Sequence, residues 1–169
     1  MLIRLPAGAY TASVASKDGT VGVAIVEVYD VDSLGVGPRL INLATRAIVG
    51  PGAQILIPGF VVSGDTTRKY LLRGIGPTLA EFGLTGFLPD PVLTLFRGST
   101  SLYANDDWPS EPNAAETSAV AARVGAFNLR PNSLDAAFVV ELAPGAYTFQ
   151  LAGKGAASGF ALVEVYEIP

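Results

Sequence analysis

LAPGAYTFQLAGKGAASGFALVEVYEI, residues 142–168, repeats LPAGAYTASVASKDGTVGVAIVEVYDV, residues 5–31, without a gap and at an offset of 137 positions. Thirteen of the 27 pairs are identical, among them Gly8/Gly145, Tyr10/Tyr147, Lys17/Lys154, Gly22/Gly159 and the run Val26-Glu27-Val28-Tyr29 against Val163-Glu164-Val165-Tyr166. Nothing between the two copies repeats a third time. A period well above that of a solenoid repeat points to whole domains in series. The chain therefore reads as one complete β-sandwich unit, 33–169, preceded by 1–32, an extra β-hairpin equivalent to the closing hairpin of a preceding unit, plus a linker.

Each copy carries two strand signals. Tyr10, Ala12 and Val14 alternate with Thr11, Ser13 and Ala15, after a turn signal at Pro6-Ala7-Gly8. Beyond Lys17-Asp18-Gly19, residues 21–29 are apolar on both faces, as a strand inside a sandwich would be. Asp30 to Arg39, polar and Gly-rich, is the expected linker between units.

The complete unit predicts further strands near 40–48, 53–62, 69–75, 92–97, 101–104 and 136–142, then the closing pair. Residues 77–82 predict a helical turn ended by Gly83. Residues 113–124 predict an Ala-rich helix, with Ser110 or Asn113 as N-cap and Gly125 as the stop. About eight short strands between frequent turn signals predict an all-β fold. The expected architecture is an antiparallel β-sandwich, jelly-roll-like, with one or two short helices.

Composition narrows the function. Half of the 169 residues are hydrophobic and only 15% are charged, which excludes a disordered chain or a coiled coil. A net charge of −4, with Arg68-Lys69 as the densest basic pair, argues against nucleic acid as a partner. The absence of histidine and cysteine removes the commonest general base, the commonest transition-metal ligand and all thiol chemistry. No apolar run reaches the ~18 residues of a membrane span. No signal peptide follows Met1, where strand-like sequence begins at once.

DPVLTLFRGSTSLYANDDW (90–108), followed after an insertion by SLDAAFVVELAPGAYTFQLAG (133–153), resembles the bacterial pre-peptidase C-terminal domain. The whole unit also resembles β-sandwich modules that recur in tandem in large secreted bacterial proteins. The runs that carry this second resemblance are LINLATR (40–46), IPGFVVSG (57–64), LLRGIGPTL (71–79), NDDW (105–108) and LVEVY (162–166). The resemblance implies a β-sandwich fold, an extracellular or cell-surface setting and an accessory role without catalysis.

Several residues could carry chemistry. Asn105, Asp106 and Asp107, with Asp90 and Glu111 nearby in the pattern, offer the oxygen ligands a hard cation needs, so calcium is the ion they would take. The same residues also suit a turn between strands, their side chains bonding backbone N–H groups. Glu27 and Glu164 sit in the most apolar strands, where a carboxylate must be paired; Arg46 and Arg73 are the candidate partners in a structural ion pair. Asp135, after Ser133, reads as a strand-entry turn residue. Trp108 with Tyr103 suggests either a sugar-stacking patch or a cap over the end of the sandwich. Asp106, Asp107, Glu111 and Glu116 could in principle supply a glycosidase carboxylate pair, but they cluster in one polar stretch with a single tryptophan, Trp108, which argues against a sugar-cleaving cleft.

The expectation for function is a non-catalytic extracellular structural module that self-associates head to tail, as a filament or surface-array subunit. Residues 1–31 would be the docking strands, through Tyr10, Val14, Val23, Ile25, Val26, Val28 and Tyr29. Its partners would be other copies of itself or neighbouring repeat units, and no cofactor is required. The alternative is a calcium- or carbohydrate-binding accessory module, with a polysaccharide as partner.

Overall fold

The computed structural model describes residues 1–31 and 39–169. They divide between two compact units, Met1–Leu40 and Ile41–Pro169. In the larger unit the strands are β1 (Asn42–Val49), β2 (Gly59–Val62), β3 (Arg68–Ile75), β4 (Pro91–Arg97), β5 (Thr100–Asn105), β6 (Ala136–Leu142), β7 (Gly145–Gly153) and β8 (Gly159–Ile168). One α-helix, α1 (Ala114–Arg123), follows Asn113 and stops before Gly125, which adopts a positive φ. A 3-10 helix over Pro77–Phe82 ends at Gly83, also left-handed.

Two antiparallel four-stranded sheets result, ordered β1-β8-β3-β6 and β2-β7-β4-β5. The pairs are nested: β4 with β5, β3 with β6, β2 with β7 and β1 with β8. This is the jelly roll, a long two-ply ribbon wound so that successive strands, β4 and β5 at its tip excepted, alternate between sheets. The unit is an all-β antiparallel sandwich.

Two sequence expectations change here. β7 and β8 do not form a hairpin. β7 lies between β2 and β4 in one sheet, and β8 between β1 and β3 in the other. The 3-10 turn Lys154–Ala156 carries the chain across the sandwich instead. A turn signal states that the chain reverses, not whether it returns beside itself or on the opposite sheet. The second change concerns 53–62, expected as one strand. Pro58 has no N–H for a ladder, so the segment splits into a 3-10 turn at Gly52–Gln54, a bridge of Leu56 to Leu151, and β2.

Alternation along each strand sets the layers. Tyr70 and Leu72 of β3, with Ala161, Val163 and Val165 of β8, point between the sheets onto Leu93, Leu95, Phe138, Phe149 and Leu151. Leu71 and Ile168 point outward and join Val120 and Ala121 of α1 and Ala126 in a second cluster. The middle of the first sheet is therefore covered on both faces, which explains why β3 and β8 read as near-continuous apolar runs. Burying each such side chain contributes about 1.5–3 kcal/mol.

In the smaller unit, residues 1–31 contain no strand, only bends at 7–8 and 17–19, and all are exposed. The expected hairpin is absent there. The copy at 142–168 supplies the reason. Its two strands are not each other's partners, and each is held by two neighbours that 1–31 lacks. A lone two-stranded ribbon is in any case marginal in water. Ser16–Thr20 is a local turn in which Asp18 Oδ1 accepts from Ser16 Oγ at 2.7 Å and Thr20 Oγ1 at 2.8 Å. Those hydroxyls hold the Asp18 carboxyl down at about 2. Most of the expected linker, 32–38, lies outside the described residues.

Candidate functional site

The Asn105–Trp108 loop closes one end of the sandwich, and its polar groups point into the fold. Asn105, buried at the end of β5, donates through Nδ2 to Glu111 Oε1 at 2.7 Å and to the Asp107 carbonyl at 3.1 Å. Its Oδ1 accepts from Ala137 N at 3.0 Å, tying β5 to the start of β6. The Tyr103 hydroxyl donates to Glu111 Oε2. That bond, with some burial and the Glu111 charge, pushes the phenol up to about 12. The Tyr103 ring rests on Phe138, with centroids 4.6 Å apart.

Two of the expected cation ligands, Asp106 and Asp90, face a lysine. Lys154 Nζ lies 2.7 Å from Asp106 Oδ2 and 3.7 Å from Asp90 Oδ2, while its backbone N–H donates to the Asp90 carbonyl at 2.9 Å. The hydrogen bond from Lys154 holds Asp106 below the usual carboxylate range and raises the lysine in return. Asp90 moves the other way, raised first by burial and then by the charges of Asp107 and Asp106 against the pull of Lys154. Asp107 caps the loop through its carbonyl, which accepts from Ser110 N and Oγ. An ammonium thus sits where a cation was anticipated. Among the described residues no group of three or more Asp and Glu is arranged around a metal position.

Trp108 is fastened rather than presented. Its indole N–H donates to Ser133 Oγ at 3.2 Å and to the Arg130 carbonyl at 3.3 Å, and its backbone N–H to the Asp135 carbonyl at 2.8 Å. It lines a small apolar cleft with Leu71, Thr117, Ala121 and Leu129, beneath α1. Tyr103, engaged with Phe138 and Glu111, belongs to a separate set of contacts.

On the outer face of the first sheet, Arg73 of β3 and Glu164 of β8 are register partners, with Nε 3.3 Å from Oε2. Their side chains are 1% and 7% exposed. The Phe127 ring lies 4.3 Å from the guanidinium, and Tyr166 donates its hydroxyl to Glu164 Oε1 at 3.0 Å. Burial lowers Arg73 against the pull of Glu164 and raises Glu164 against the pull of Arg73. A guanidinium does not deprotonate at ordinary pH, so the pair is held as a neutral sum of two charges. Arg46, the other arginine expected there, is exposed on edge strand β1 opposite Leu162. Glu27 is exposed and accepts from the Tyr29 hydroxyl at 3.2 Å, matching the bond between Tyr166 and Glu164.

Sequence reasoning undervalued Asp135. The residue is fully buried, and it accepts from Gly76 N at 2.8 Å, Thr78 N at 3.3 Å and Ser133 Oγ at 2.6 Å, with Thr78 Oγ1 close on Oδ2. It clamps the start of the 77–82 helix to the start of β6. The signal was the pairing of two distant polar motifs, Gly76-Pro77-Thr78 and Ser133-Leu134-Asp135. The expected assembly residues stand in solvent: Tyr10 is 55% exposed, Val23 102% and Ile25 85%, with Val14, Val26, Val28 and Tyr29 likewise exposed.

The unit is similar to the crystal structure of the pre-peptidase C-terminal domain of a collagenase from Bacillus anthracis, at 12% identity and a TM-score of 0.41, over 74% of this chain and 89% of that one. No family model matches the sequence. No curated protein matches it either.

Proposed function

We propose that this chain is a non-catalytic extracellular structural module that associates head to tail, with residues 1–31 as its docking strands. The observation behind this reading is a contrast between two copies of one sequence. Tyr10, Val26 and Val28 are 55%, 57% and 52% exposed, whereas Tyr147, Val163 and Val165, their counterparts, are 4%, 1% and 7% exposed. Apolar side chains that the fold buries in one copy stand free in the other, and an exposed apolar surface of this extent marks an interaction site. A contact between unlike surfaces that does not close on itself makes a fibre.

The test is light-scattering mass with negative-stain electron microscopy across a concentration series, on the chain and on a version lacking 1–32. Mass that grows with concentration, or filaments, lost with the deletion, is the expected result. A monomer at every concentration, or assembly indifferent to the deletion, overturns the reading.

A further inference from the structure

We infer that residues 1–31 are shaped to serve as the β7–β8 pair of another sandwich of this kind. They would fill the central slot of a like unit whose own β7 and β8 are absent or displaced. The inference rests on the docking reading above and narrows it from a sheet edge to an internal slot. Four observations separate the two.

The first is apolarity on two faces. Ala24, Val26 and Val28 correspond to Ala161, Val163 and Val165, which face the core; Ile25, Tyr29 and Val31 correspond to Leu162, Tyr166 and Ile168 on the outer face, where Tyr166 and Ile168 join the cluster under α1. An added edge strand needs one apolar face, and only a strand inside a covered sheet needs both.

The second is a pair of opposite charges ten residues apart in each copy. Lys154 bridges Asp90 and Asp106, and Glu164 meets buried Arg73. Lys17 and Glu27 occupy the same two places in the free segment. Seated in the slot, each would meet a counter-charge supplied by the six-stranded body. At an edge, Glu27 would be pressed against an apolar surface without one, which is unfavourable.

The third is Gly22. Its counterpart Gly159 lies so close to backbone that an added Cβ would stand 2.5 Å from the Phe87 carbonyl carbon and the Leu88 nitrogen. Gly22 has nothing within 4 Å of such an atom. The missing side chain is needed only where another backbone passes over it. The fourth is the entry to the first strand. The Tyr10 hydroxyl donates to the Pro6 carbonyl at 2.8 Å, as Tyr147 does to Ala143 at 2.8 Å, so this bend already exists before docking.

One mismatch limits how tightly they seat. Ala12 stands where β7 has Phe149, fully buried against Phe60. Residues 1–31 placed in the slot of this chain would leave a ring-sized hole, so they would seat there less tightly than its own β7 and β8. The receptor is a second copy of this chain with β7 and β8 displaced, and a larger side chain at position 12 would tighten the seat.

The test uses the full chain as donor and receptor together. Val163→Asp with Glu164→Lys spoils its own β8, Ala12→Phe restores the missing ring, and Val26→Cys with Thr45→Cys reports the register. Thr45 is the partner of Val163 on β1, so only a segment seated in the β8 place brings these two sulfurs within disulfide reach. The expected result is a majority yield of the 26–45 disulfide with a cooperative melt, the yield falling about tenfold when Glu27→Lys is added. A second receptor with Glu164→Lys as its only β8 change guards against one too damaged to fold. If neither receptor crosslinks above its Glu27→Lys control, the slot is overturned. The docking reading survives that outcome if the unmodified chain still assembles through 1–31, and falls with it if assembly ignores the segment.

Discussion

Arg73 and Glu164 face one another across β3 and β8, 3.3 Å apart and almost fully enclosed, with Phe127 over the guanidinium. Removing one partner strands a charge in an apolar layer. Glu164→Leu is expected to cost about 3–5 kcal/mol, whereas Arg73→Met combined with Glu164→Leu should fall within about 1 kcal/mol of the starting chain or above it. Urea unfolding of the three chains checks this; equal losses in single and double variants would show that packing, not charge, holds the site.

Asp135 gathers backbone and hydroxyl donors from two distant segments. Asp135→Ala leaves Gly76 N and the Ser133 and Thr78 hydroxyls unsatisfied in a dry place. The expected loss is about 3 kcal/mol or more. Asp135→Asn, which keeps acceptors on one side only, should recover part of it. Thermal unfolding distinguishes the two.

The Tyr103 phenol is raised to about 12, chiefly by its bond to Glu111. A group whose folded value is raised adds stability that is complete below its ordinary value near 10 and is lost as pH climbs through about 12. Near-ultraviolet absorbance titration should therefore show several late phenolates, Tyr166 among them because burial and Glu164 raise it as well, and Tyr103→Phe should remove one of them. Glu111→Gln should bring it back toward 10. Above pH 12 the stability difference between the chain and Tyr103→Phe should vanish.

Gly159 and Gly22 are the same residue of the repeat in two surroundings. Gly159→Ala forces a Cβ onto the backbone of Phe87 and Leu88 and should destabilise the sandwich by about 1–3 kcal/mol. Gly22→Ala should change the melting of the isolated chain by no more than about 0.5 kcal/mol while weakening assembly. Differential scanning calorimetry and light scattering on both variants read the contrast.

The strands themselves were legible. The apolar runs at 69–75 and 136–142 match β3 and β6 within a residue, and the closing pair expected over 146–166 falls on β7 and β8, because side-chain period and burial are local properties of the chain. Gly83 and Gly125 marked the ends of their helices for the same reason. Pro58 was visible in 53–62, but its cost was underweighted.

Of the candidate residues, Asn105 read as turn or ligand, and its three hydrogen bonds reach Glu111, Asp107 and Ala137. Lys154 faces Asp90 and Asp106, and nothing local marks it as their partner, because 48 residues separate it from Asp106. The neighbours of Asp135 in sequence show a turn, while three of its donors belong to Thr78 and Gly76, 57 and 59 residues away.

By itself the sequence determined that eight short strands exist, which faces are apolar, and that one 27-residue segment occurs twice. Only the tertiary structure decided which strands are neighbours. Period-2 patterning orients a side chain toward or away from a core but carries no label for the strand beside it. So β7 and β8, adjacent in sequence and joined by a tight turn, lie in opposite sheets. Arg73 rather than Arg46 faces Glu164 because the register of β3 on β8 puts it there.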